Sequence, residues 1–198
     1  MSLTRRRPMV SGVRFAGVAM LLGAASPLTA APLDYNYLQA SWLRVSPDLA
    51  HAEDADGYEA RLSAPLEPGS FLRVSYSRYK NDASNAEVSA LSGGIGMFSR
   101  ITEHADIYGL VSYETLDRKV VDKDSGYAIE LGLRWATSSR LELDAGARYL
   151  NLDGSPDEVI WFGGLAVQLS PAIALTAQYS QGDDDRRYTA GLRFFSTE

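Results

Sequence analysis

The sequence predicts an all-β fold, a closed antiparallel up-and-down barrel of ten strands, and three observations predict it. Apolar residues recur at every second position almost throughout the chain after residue 35, with no sustained helical stripe. Tyrosines mark one end of successive alternating segments, and the connections alternate between short and long. The alternation is carried by segments 35–45, 56–65, 71–79, 87–98, 105–115, 125–135, 141–150, 158–169, 172–180 and 186–195. Eight or twelve strands remain open, because 87–98 is glycine-rich and its two faces are ambiguous.

Taken in order, the segments repeat one design. The first, 35–45, contributes Trp42, and the second opens on Tyr58 in YEARLSA. LRVSY (72–76) ends on Tyr76 and IYGLVSY (107–113) on Tyr113, whereas YAIELGLRW opens on Tyr127. LDAGARY (143–149) ends on Tyr149, the eighth segment carries Trp161, LTAQY (175–179) ends on Tyr179, and YTAGLRF opens on Tyr188. If neighbouring strands run antiparallel, these seven tyrosines fall on one rim with Trp42 and Trp161, and Trp135 and Phe194 fall on the other. Amphipathic rings belong where hydrocarbon meets polar headgroups, and transmembrane barrels carry such girdles at both interfaces. Each segment is about ten residues long, the length that crosses a bilayer at a tilt. The tyrosine end has the longer or more charged connections, at 46–56, 80–86, 115–124, 151–158 and 181–185. The other end has EPGS (67–70), TSSR (137–140), SPA (170–172) and the slightly longer SRITEH (99–104). Short turns on one side and long loops on the other are the build of bacterial outer-membrane barrels.

LELDAGARYL (141–150) shows what the second face holds. Leu141, Leu143, Ala145 and Ala147 alternate with Glu142, Asp144, Gly146 and Arg148. Across the chain the charged face collects Glu59, Arg61, Arg73, Asp106, Glu114, Glu130, Arg134, Glu142, Asp144, Arg148, Arg187 and Arg193, six acids against six arginines. In lipid every backbone polar group must be paired, so a closed barrel with charges inward and hydrocarbon outward satisfies both constraints. The rival is a soluble lipocalin-like ligand-binding barrel, greasy inside and charged outside. It gives no reason for seven tyrosines at one level.

Residues 1–30 read as a secretory signal peptide. Arg5, Arg6, Arg7 and Arg14 flank the short apolar stretch FAGVAMLLGAA, and small residues follow, with cleavage expected after Ala30 or Ala31. The barrel then occupies 31–198. The 19 basic residues less these four leave 15 against 25 acids, a net charge of −10. An acidic exported chain with no basic stripe is a poor candidate for nucleic acid. The absence of cysteine removes disulfides, thiol catalysis and thiolate metal sites together.

On the girdle tyrosines, the alternating segments and the last segment RYTAGLRFF (187–195), the mature chain resembles the small outer-membrane β-barrel proteins of Gram-negative bacteria, the OmpA-like and porin-like single-chain barrels. Members usually finish on an aromatic residue that the barrel-assembly machinery recognises; here Phe195 is followed by Ser196-Thr197-Glu198. The resemblance implies an outer-membrane location, outer-membrane lipids and lipopolysaccharide as partners, the assembly machinery during biogenesis, and a monomer. Some barrels of this size are enzymes, but the two histidines do not support that. His104 lies in a short turn, and His51 lies in an acidic loop without the motifs of outer-membrane proteases. No catalytic residue, cofactor or metal site is expected; the acids at 183–185 lack the spacing of a calcium loop. Two roles stay open: a barrel plugged by its own side chains that serves a structural or surface-interaction role, and a narrow porin-like channel for small solutes or ions.

Overall fold

The computed structural model describes residues 33–48, 53–81, 86–118 and 121–196. The expected signal peptide, its cleavage site and His51 lie outside the described residues. Ten strands follow in order: β1 (Tyr37–Pro47), β2 (Ala55–Pro65), β3 (Ser70–Lys80), β4 (Glu87–Thr102), β5 (Ala105–Arg118), β6 (Val121–Ala136), β7 (Leu141–Leu152), β8 (Glu158–Ser170), β9 (Ile173–Gln181) and β10 (Asp185–Phe195). Each pairs antiparallel with the next, and β1 pairs with β10 from Tyr37↔Phe195 to Pro47↔Asp185, so the sheet closes on itself. The strand count is therefore ten.

The period-two pattern resolves into an apolar exterior. Leu91, Ile95 and Met97 face outward on β4, which places Ser92, Gly94, Gly96 and Phe98 inside and settles the facing of the glycine-rich segment. Leu131 and Trp161 are 62% and 65% exposed, part of a band of exposed large apolar side chains of the kind that marks a membrane or partner surface. The soluble lipocalin-like alternative requires the reverse arrangement and is overturned: the charged side chains point in.

Two connections differ from the sequence expectation. Strand β4 continues to Thr102, so the supposed six-residue link SRITEH shrinks to a turn at Glu103–His104, with a bulge between Arg100 and Thr102. The supposed loop 115–124 is mostly strand, because β5 runs to Arg118 and β6 starts at Val121. Polar, charged residues masked these extensions. A hairpin that leaves the barrel wall can pair its backbone while both faces stay wet, and here Arg118 and Asp124 clasp across it at 2.5 Å. The turn between β2 and β3 is built as its residues dictate: Ser70 N–H donates to the Glu67 carbonyl at 2.9 Å, and Gly69 takes φ 84°, a conformation other residues resist.

Candidate functional site

The inner face is where polar chemistry concentrates, and all twelve charged residues named from the sequence point into it. They sort into local clasps. Arg134 binds Glu142 through two parallel bonds of 2.9 Å, and Arg193 reaches the same carboxylate at 3.2 Å while donating to Gln39 at 3.1 Å. Further along the axis Arg73 meets Glu130 at 2.7 Å, and the Tyr108 hydroxyl donates to the same oxygen at 2.9 Å. Arg61 pairs with Glu59 on its own strand at 2.9 Å. Arg148 pairs with Glu114 at 2.5 Å, and Glu114 also accepts from Ser92 and Ser112. At the long-loop mouth Arg187 holds Asp185 at 3.1 Å, a partner that sequence reasoning had left in a loop. Asp106 faces Arg100 at 3.8 Å, and Asp144 makes no ion pair among the described residues. Every arginine of the set has a carboxylate partner, which low-dielectric surroundings demand of buried charge.

Sequence analysis missed a second population on the inner face. Tyr35, Phe71, Tyr108 and Leu110 form a buried cluster, joined by Phe98 and Phe162, near the short-turn end. Room for the rings comes from glycines on the neighbouring strands. A Cβ on Gly96 would lie 2.2 Å from the Phe71 ring, one on Gly132 would lie 2.5 Å from the Tyr108 ring, and one on Gly146 would lie 2.5 Å from the Phe162 ring. Each wall ring therefore lies flat over a strand that presents only backbone. The signal that could have found this is the antiparallel register, which sets Phe71 against Gly96 and Tyr108 against Gly132.

The residues just before β1 enter the same region. Tyr35 is buried, stacked 4.2 Å from Phe98 with planes 9° apart, and the Arg134 guanidinium covers its other face at 4.3 Å. Burial pushes the Tyr35 hydroxyl up to about 12, against the pull of the neighbouring Arg134 charge. Tyr37 lies under Arg193 at 4.3 Å. At the long-loop end a smaller apolar group, Leu43, Val45, Ala55 and Tyr79, narrows the lumen. Between the two lie cavities of about 100 and 110 Å³, both bordered by Glu59, Ser77, Arg148 and Arg187. Each holds a few waters at most. A wider vestibule of about 750 Å³ opens at the short-turn end, bordered by Asp34, Arg140, Glu142 and Phe195.

Outside, Trp42, Tyr58, Tyr76, Tyr113, Tyr127, Tyr149, Trp161, Tyr179 and Tyr188 carry the long-loop rim. Tyr113 stands opposite Tyr127, and Tyr179 opposite Tyr188. Ring pairs form along it, Tyr58–Tyr76 at 6.2 Å, Tyr127–Tyr149 at 6.3 Å and Tyr179–Tyr188 at 5.2 Å. Trp135 and Phe194 face outward at the opposite rim, and His104 lies in the turn there.

Neither a family model nor a curated relative matches the sequence. By shape the chain is similar to the NanC porin, with a TM-score of 0.51 at 9% identity, covering 80% of this chain and 100% of that one. The KdgM porin in complex with disordered oligogalacturonate gives 0.48 at 8% identity over 80% and 99% of the two chains. Neisserial surface protein A gives 0.40 at 17% identity over 81% and 96%. At such identities the likeness is one of architecture alone. The chain has the fold of a bacterial outer-membrane β-barrel.

Proposed function

We propose that the protein is an integral outer-membrane barrel that does not conduct, and that its loops serve surface contact or envelope integrity. In this reading the tyrosine rim lies at the outer-leaflet headgroups, the short turns face the periplasm, and outer-membrane lipids and lipopolysaccharide are the lateral partners. The barrel-assembly machinery inserts it, and the monomer is the working unit. The observation that carries the reading is the content of the lumen. Paired arginines and carboxylates, together with the ring cluster at one end, crowd the lumen, and the cavities beside Arg148 and Arg187 measure about 100 and 110 Å³. Small barrels are just wide enough for side chains to fill them.

The polar lining of those two spaces is the observation on the side of a second reading, a narrow channel, since a selective pore needs room for solute between charges. Purified full-length protein in a planar lipid bilayer separates the two. The closed barrel gives a flat current trace, whereas regular single-channel steps would establish the pore and retire the structural reading.

A further inference from the structure

We propose that residues 33–36 are a stopper set into the short-turn mouth, and that the barrel is a latent channel which Tyr35 holds shut. The inference rests on the closed-barrel reading and says which piece closes it. The four residues stand outside the β ladder, since β1 begins at Tyr37. Asn36 N–H donates to Asp34 Oδ1 at 2.7 Å, a bond within the segment, and the anchor to the wall is Arg134 Nη2 donating to the Asp34 carbonyl at 3.0 Å. Among the described residues, no backbone hydrogen bond of the ladder involves the segment.

Where the rings lie distinguishes wall from stopper. Phe71, Tyr108 and Phe162 are pressed over Gly96, Gly132 and Gly146, so they take little of the bore. Phe98 belongs to the wall as well, and Tyr35 stacks on it at 4.2 Å. Tyr35 thus adds a ring from outside the ladder, lying 4.7 Å from Phe71 as well, and Arg134 closes over it at 4.3 Å. Below the seat lies the vestibule bordered by Leu33 and Asp34, and above it lies a cavity that Tyr108 and Phe162 border. Tyr35 packs in the ring cluster whose Tyr108 and Phe162 border the inner cavity.

The seat is also incompletely satisfied. Asp106 Oδ2 is buried without a hydrogen-bond partner among the described residues, and the Tyr35 hydroxyl is left to the Arg134 guanidinium alone. Buried polar atoms left in that state favour any arrangement that lets water reach them. Stacking and the cation–ring contact hold the stopper in, and the unpaired Asp106 oxygen opposes them.

Planar-bilayer recordings on the full-length protein test the idea, with heat-modifiable gel migration certifying that each variant is folded. Wild type and Tyr35→Phe, which keeps the ring, are expected to be silent. Tyr35→Ala is expected to show conductance steps that wild type lacks. Should Tyr35→Ala fail to fold, Tyr35→Leu fills the space without stacking and is expected to show brief openings. Silence in a folded Tyr35→Ala or Tyr35→Leu overturns the stopper while leaving the closed barrel standing. Steps in Tyr35→Phe equal to those in Tyr35→Ala overturn it too, since the ring would then be irrelevant. Steady steps in wild type defeat the closed-barrel reading itself.

Discussion

Arg73 and Glu130 lie 57 residues apart in the chain and 2.7 Å apart in the lumen, with both side chains almost completely buried. Breaking such a pair from one side leaves an ion without its counter-charge, which costs about 3–5 kcal/mol, whereas replacing both partners with apolar groups is often neutral. Arg73→Met is therefore expected to lower unfolding stability in urea titrations by about 3 kcal/mol, and Arg73→Met with Glu130→Leu by much less. Equal losses in the single and double variants would show that the pair is not coupled. That these residues face inward is readable from one strand's alternation. Which acid each arginine meets is not, because the partner of Arg73 comes from β6 and that of Arg148 from β5, neither a paired neighbour of the arginine's own strand. Tyr35 was equally hidden, since it precedes the first paired residue and the alternation says nothing of where an unpaired segment turns.

Strands β3 to β8 carry the second lesson, in which adjacent elements are complementary. Gly96 on β4 exists for Phe71 on β3, whereas Gly93, three residues earlier on the outer face, meets nothing within 4 Å. Gly96→Ala is expected to destabilise by about 1–3 kcal/mol through overpacking against the ring. Gly93→Ala, one turn of the pleat away, is expected to be neutral or mildly stabilising, because its methyl enters open space. Thermal gel-shift midpoints measured side by side decide it, and equal effects would mean that the ring moves aside freely. At this scale the sequence was legible for strand number and outer face, and illegible for ring packing. A glycine's purpose depends on register with its neighbour, and single-strand patterning carries no register. The same gap explains the extended β5–β6 hairpin, whose ladder continues beyond the point where apolar alternation ends.

At the scale of the whole molecule, the cylinder separates two environments, lipid outside and paired charge within. Leu131 faces outward in the middle of β6, between Tyr127 and Trp135, and Gln178 faces the inner cavity. Leu131→Arg is expected to cost about 2–4 kcal/mol of stability in phospholipid vesicles, the midplane penalty for a cation on a lipid-facing strand. Gln178→Arg, placed in a hydrated space beside carboxylates, is expected to cost clearly less. A reversed order would mean that the apolar face does not meet lipid. The inside–outside division was the most legible property of the chain, because alternation reports it directly. The β5–β6 hairpin draws a different consequence from the same frame. With Tyr113 and Tyr127 at the headgroups, the five residues from Glu114 to Arg118 carry it about 17 Å further out. Strand β4 climbs with it, its ladder to β5 reaching Val88↔Arg118. If the tyrosine rim is the outer one, as proposed, an antibody, a phage or a host receptor would meet this mast well beyond the headgroups.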